Sequence, residues 1–150
     1  MGRYCPIEDK EMSHAYCRDC DNMVCEDTFF CLVVGSRTIT DYELIKSKLD
    51  HLLQNHKKVA IVSGGARGVD SLAKQYAFEK HYFYKEFPAN WDLHGKSAGY
   101  IRNNAMHAYL SRQKKRGVVA FWDGSSKGTE QNFDLAKKYN NEIRIIRCDV

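Results

Sequence analysis

From Phe29 to Arg147, short strand-like runs, the first of them continuously apolar, alternate with apolar stripes at helical spacing. The runs are FFCLVV at 29–34, KVAIV at 58–62, YFYKEF at 82–87, VVAFW at 118–122 and IRIIR at 143–147. A run that is apolar at every position suits a strand buried on both faces, as in a parallel sheet. Between the runs, Leu44, Ile45, Leu49, Leu52 and Leu53 form one helical stripe, and Val69, Leu72, Ala73, Tyr76 and Ala77 a second. Ala98, Ile101, Ala105 and Tyr109 mark a third helix, and Phe133, Ala136 and Tyr139 a fourth. Thr40 and Glu43 have the spacing of a capping box at the first helix start. Five strands alternating with four helices imply an α/β fold, a Rossmann-like parallel sheet flanked by helices.

With 150 residues the chain suits one such domain and a small appendage. The boundary is expected near residue 28, with a cysteine-rich segment at 1–28 and the ligand-binding domain at 29–150. No apolar run reaches the ~20 residues of a membrane span, and MGRYCPIEDKEM is not a signal peptide. A cytoplasmic protein without a membrane partner is the expectation.

In an open parallel sheet, ligands sit beyond the C-terminal strand ends. Three loops at that edge combine glycine, hydroxyl and cation. They are Gly35-Ser36-Arg37, Ser63-Gly64-Gly65-Ala66-Arg67-Gly68, and the 123–129 loop ending in Lys127, Gly128 and Thr129. Glycine lets backbone N–H groups approach an anion. The helix that follows aims unpaired N–H groups and its positive dipole end at that anion. Arginine adds a bidentate grip on phosphate. Any tight βα turn can use one such loop, but three on one edge point to a phosphate-bearing ligand. Asp70, early in the second helix, reads either as a dipole-complementing acid or as an acceptor for a ribose hydroxyl. Trp91 could stack on a base or fill the core. Arg102 and Asn103 fall near the same edge, where a ligand phosphate would partner a buried arginine. His94 is a loop histidine that could act as acid or base.

Cys5, Cys17, Cys20 and Cys25 crowd the first 25 residues. In a cytosolic chain this suggests metal before disulfides. Four thiolates close a tetrahedral site, so structural zinc is expected, with His14 able to replace one cysteine. The alternatives are free thiols on a flexible tail or a redox pair. The thioredoxin-like setting of the latter is missing, and no redox cofactor is expected.

GSR at 35–37, SGGARGVD at 63–70, FPANWDLHGKSAGYIRN at 87–103 and DGSSKGT at 123–129 occur in order. Together they resemble the YspA-like branch of the SLOG superfamily over about residues 29–147. The resemblance implies a Rossmann-like domain for nucleotides or nucleotide-derived ligands. Some relatives sense ADP-ribose-type signals in antiphage defence, and such domains commonly form homodimers or larger assemblies. The related Lonely Guy enzymes cleave nucleoside monophosphates, using an arginine that Arg102 can match and a glutamate three residues after the Gly-Thr pair. Here that position is Asn132. An amide cannot ionise to support a cationic sugar-like transition state.

The leading expectation is therefore ligand binding without turnover, as a sensor or a sequestering protein. The contacts expected are Gly35, Ser36, Arg37, Gly64, Gly65, Arg67, Gly68, Asp70, Trp91, Arg102, Asn103, Lys127, Gly128 and Thr129. The alternative is a nucleotide hydrolase, with Glu130 or Asp70 as candidate catalytic carboxylates and Asp123 behind them. A nucleic-acid module is the third reading. The net charge of +4 and one short basic run, Lys114 to Arg116, argue against a nucleic-acid partner.

Overall fold

The computed structural model describes residues 27–148 in full and the backbone of residues 2–5 and 10–13. In chain order the elements are β1 (Gly2–Cys5), β2 (Lys10–Ser13), β3 (Phe29–Gly35), α1 (Tyr42–Leu53), β4 (Val59–Ser63), α2 (Val69–Glu79) and β5 (Phe83–Glu86). The one-turn α3 (Trp91–His94), a 3-10 turn (Gly95–Ser97), α4 (Ala98–Ser111), β6 (Lys115–Trp122), α5 (Lys127–Lys138) and β7 (Ile143–Arg147) follow. Of the zinc ligands expected from the sequence, Cys17, Cys20 and Cys25 lie outside the described residues, as does His14. For Cys5 only the backbone, in β1, is described.

β1 and β2 form an antiparallel pair. The five expected strands form one parallel sheet in the order β5-β4-β3-β6-β7. Strand alternation divides its core into two layers. Cys31 and Val33 face Ile45 and Leu49 of α1 and Ala73 and Tyr76 of α2. Phe30, Leu32 and Val34 face Met106, Tyr109 and Leu110 of α4. The apolar runs of the central β3 and β4 are thus explained, since each residue has a helix to pack on whichever face it points to, whereas the edge strands β5 and β7 keep polar and part-exposed positions. The chain steps from β3 outward to β5, then returns to the other side of β3 as β6. That reversal opens a crevice between the C-terminal ends of β3 and β6.

Two local expectations shift. The first helix is capped by Asp41, whose Oδ1 accepts the Leu44 N–H at 3.2 Å. A carboxylate one residue before the first turn both accepts that amide and complements the dipole, so it displaces Thr40. β6 begins at Lys115, three residues before its apolar run. Lys115 and Arg116 pair with Phe29 and Phe30. Arg116 is anchored by Asn141 Oδ1 at 2.7 Å and the Gln113 carbonyl at 2.9 Å. Part of the basic run is therefore strand. No helix among the described residues is long and apolar enough to cross a membrane.

Candidate functional site

The loop after β3 is tied to both neighbours. A Cβ at Gly35 would lie 2.5 Å from the Val69 side chain, so this glycine lets α2 seat on the strand end. Ser36 is buried. Its N–H donates to the Phe121 carbonyl at 3.0 Å, its carbonyl accepts the Val69 N–H at 3.4 Å, and its Oγ accepts the Asp123 N–H at 3.1 Å. Arg37, next in line, is exposed and makes no hydrogen bond or ion pair among the described residues.

In the loop after β4, a side chain at Gly64 would run into the Arg102 guanidinium, and one at Gly65 into the Glu86 carboxylate. At Gly68 (φ +79°) a Cβ would sit 2.5 Å from the Arg37 backbone. Asp70 Oδ2 accepts the Ala66 N–H at 3.2 Å and closes the loop. Burial pushes the Asp70 carboxyl up to about 6, although Arg102 and the loop amides pull it down. Arg102 donates through Nη1 to the Gly64 carbonyl at 2.6 Å and through Nε to Asn103 Oδ1 at 2.8 Å. Asn103 in turn donates to Gln131 Oε1 at 2.9 Å. The ligand phosphate expected to satisfy Arg102 is thus not needed for two of its donors. The protein supplies those partners.

The loop after β6 is organised by Asp123. Its carboxylate accepts the N–H groups of Ser125 (2.9 Å) and Ser126 (2.8 Å) and the Thr38 hydroxyl (2.9 Å). These donors hold it well below the usual carboxylate range. Ser126 caps α5, its Oγ accepting the Thr129 N–H at 3.4 Å. The N–H groups of Lys127 and Gly128 have no acceptor among the described residues, as expected for a first helical turn. A Cβ at Gly128 would meet nothing within 4 Å. Behind this turn, Asn132 donates to the Gly128 carbonyl at 3.1 Å. Its Oδ1 lies 3.0 Å from His107 Nε2, and Asn141 Nδ2 lies 3.3 Å from His107 Nδ1. Since Asn132 spends its amide N–H on Gly128, this network assigns the imidazole proton to Nε2. Burial pushes His107 down to about 4.

These parts enclose a cleft of about 640 Å3. Gly35, Arg37, Asp70, Trp91, Arg102, Asn103, Lys127, Gly128 and Thr129 line it. Gly64, Gly65 and Arg67 line an adjoining hollow instead. Ser36 and Gly68 line neither and brace the loops. Trp91 is half exposed on the cleft wall, not core. Glu130 is exposed outside the cleft and lies 3.8 Å from Lys127, and His94 lines neither recess. Asn132 lines the cleft as well, almost fully buried, and its amide donates to the Gly128 carbonyl, so the residue at the glutamate position braces the start of α5. Lys96, Thr38, Tyr100 and Gln131 also line the cleft, although the sequence reading passed over them. Tyr100 carried a signal: it sits two residues before Arg102, and its exposed ring leaves the helical stripe.

The profile described as YAcAr, the "YspA, cpYpsA-related SLOG family", matches residues 31–94. The Gene 61 protein of Mycobacterium phage D29 is 33% identical over 113 residues, which cover 71% of this chain and 87% of that protein. Among solved structures, DNA processing protein A from Helicobacter pylori superposes with a TM-score of 0.59 at 19% identity, covering 81% of this chain and 66% of that one. Its structure is described in terms of a single-stranded DNA binding mode. DNA processing protein A from Streptococcus pneumoniae gives 0.57 at 19% identity, over 82% and 52%. The chain thus spans less than two thirds of either structure. The likeness is one of fold, and it corrects one expectation: nucleic acid is not excluded as a partner. The same fold occurs in a protein that binds single-stranded DNA. Whole-chain charge was the wrong gauge, because a cleft concentrates the potential of the few cations that line it.

Proposed function

The chain belongs to the YspA, cpYpsA-related SLOG family, and from that premise we propose that it binds a phosphate-bearing nucleotide or nucleotide-derived ligand in the β3/β6 cleft without turning it over. The carrying observation is the start of α5. Two amides without an acceptor among the described residues, on Lys127 and Gly128, border the cleft where a Cβ would meet open space, and Arg37, which makes no hydrogen bond among the described residues, lines the same cleft. Backbone donors at a helix N-terminus with a guanidinium nearby suit a phosphate. The ring of Trp91 or Tyr100 offers an apolar face for a base. A sensor or a sequestering protein is the role this supports, with ADP-ribose-type ligands among the candidates.

Absence of turnover is supported by the carboxylates. Asp123 is occupied by loop donors, and Glu130 lies outside the cleft. Asp70 is the exception. A buried carboxyl raised to about 6 on the cleft wall has the character of a general acid, and it favours hydrolysis of an N-glycosidic bond as the second reading. Isothermal titration with a panel of nucleoside mono- and diphosphates and ADP-ribose, with chromatography of each mixture after incubation, separates the two. Saturable binding with intact ligand is expected. Free base or ribose phosphate would establish the second reading, and no binding across the panel would overturn both.

Structural zinc on Cys5, Cys17, Cys20 and Cys25 belongs to the same proposal and rests on spacing alone. Metal analysis of purified protein should find about one zinc per chain, as a single four-cysteine site requires. A homodimer or larger assembly rests on the family resemblance, and light scattering reads it directly.

A further inference from the structure

Beside the switch-point cleft lies a second hollow of about 340 Å3. Arg37, Ala66, Trp91 and Arg102 line both, so the two are lobes of one recess that share a wall. Their electrostatics differ. The larger lobe has Asp70 and Asp123 among its lining groups as well as Lys96 and Lys127. The smaller has three guanidinium groups, from Arg37, Arg67 and Arg102, and no carboxylate. Asp70, whose charge acts on Arg102 and Arg37, lines the larger lobe instead, and Glu86 sits behind Gly65 and receives the Tyr84 hydroxyl at 2.8 Å.

Three arginines around so small a space repel one another. Arg37 and Arg67 have no protein acceptor among the described residues. Arg102 spends Nε and Nη1 on Asn103 and Gly64, which leaves Nη2. Burial holds the Arg102 guanidinium below its ordinary range; Asp70 opposes that shift and Arg37 adds to it. An oxyanion with several acceptors relieves the repulsion and uses the free donors together. The shared wall carries the half-exposed indole of Trp91, a flat apolar surface between two anion-seeking ends.

We propose that the smaller lobe is a second phosphate subsite, and that the ligand is a nucleoside bearing phosphates on both sides. One phosphate sits at the start of α5 and the other among Arg37, Arg67 and Arg102, with the nucleoside lying across Trp91. This rests on the reading that the larger lobe takes a phosphate. A pyrophosphate does not meet the geometry equally well, because its two phosphates are adjacent and would share one lobe. The required chemistry has two sources: a free nucleoside bisphosphate, or one unit within a single strand of nucleic acid, where every internal nucleoside is flanked by phosphates.

The test is titration calorimetry of the full chain with the four nucleoside 5′-monophosphates, the four 3′,5′-bisphosphates, ADP, and ten-residue DNA single strands of each base. For the preferred base, the bisphosphate should bind roughly tenfold or more tighter than the monophosphate, as a set of charge-assisted hydrogen bonds implies. ADP should not reproduce that gain. Arg67→Ala, at an exposed side chain without a partner among the described residues, should bring the ratio of bisphosphate to monophosphate affinity to about one. Strand binding at least as tight as the bisphosphate assigns the site to nucleic acid, and exclusion of the strand assigns it to the small molecule. Either result is consistent with the two-phosphate geometry. Equal affinity for mono- and bisphosphates, or an Arg67→Ala ratio unchanged from wild type, overturns it while leaving phosphate binding in the larger lobe intact. No binding by any probe overturns both readings.

Discussion

The glycines of the three loops have different causes. Sequence reading assigned them one purpose, room for a ligand. At Gly35, Gly64, Gly65 and Gly68 the space is needed by Val69, Arg102, Glu86 and the Arg37 backbone. At Gly128 no described residue occupies it. The two kinds should separate on substitution. Gly68→Ala forces a left-handed φ and a backbone clash, and should cost at least ~2 kcal/mol of stability in urea denaturation. Gly128→Ala should leave stability within about 0.5 kcal/mol yet weaken ligand binding about tenfold or more, since its methyl enters the space assigned to phosphate. A Gly128→Ala protein with wild-type affinity would move the phosphate away from α5. Arg102 carries a similar lesson. Its type and position were legible in the chain, but its Gly64 acceptor was not, because Gly64 lies 38 residues away.

Among the elements, α4 and α5 act as a pair. Asn103 reaches Gln131, and His107 reaches Asn132, so the first turn of α5 is held by α4 through two side-chain bridges. Asn141, just ahead of β7, holds His107 from behind, its Nδ2 donating to the His107 backbone carbonyl at 3.2 Å. The donors of the cleft thereby inherit their positions from a buried polar line that ends on the Gly128 carbonyl. Asn132→Ala should cost about 1–3 kcal/mol, because it leaves His107 Nε2 buried without an acceptor. Affinity should fall as well, since the Gly128 carbonyl loses its donor. Asn132→Asp should raise the His107 pKa from about 4 toward or above 6.5, which a histidine NMR titration follows directly. The helix stripes in the sequence located α4 and α5. The polar line was hidden, since Asn132 and His107 break no apolar pattern and lie 25 residues apart.

For the molecule as a whole, two buried groups set opposing pH responses. Asp70 is raised by burial from 3.8 to about 6, so its contribution is fully present below about pH 4 and is lost as pH rises through 6. His107 is lowered by burial from 6.5 to about 4, so its contribution is present above pH 6.5 and is lost as pH falls through 4. Each is of order 3 kcal/mol in full, and between pH 4 and 6 the slopes oppose. Urea denaturation across that window should therefore show Asp70→Asn gaining stability with pH relative to wild type, and His107→Asn losing it. Parallel curves for all three proteins would mean that neither group is perturbed as its burial requires.

What the sequence by itself determined is the architecture and the edge that carries the site. Apolar strand runs that alternate with helical stripes imply parallel strands with helices on both faces, and loops at their C-terminal ends. Boundaries were legible to within a few residues, as Lys115 and Asp41 illustrate. Tertiary structure decided which loop residues meet. Only the order β5-β4-β3-β6-β7 brings Arg37 and Lys127 to one cleft, although they are 90 positions apart in the chain. It also divided the glycines between packing and open space, engaged Asp123, and gave Arg67 no acceptor among the described residues. The physical reason is range. Periodicity and turn chemistry act over a few residues and are written locally. Partner choice for a buried charge or amide is made between segments that become neighbours only when the sheet closes.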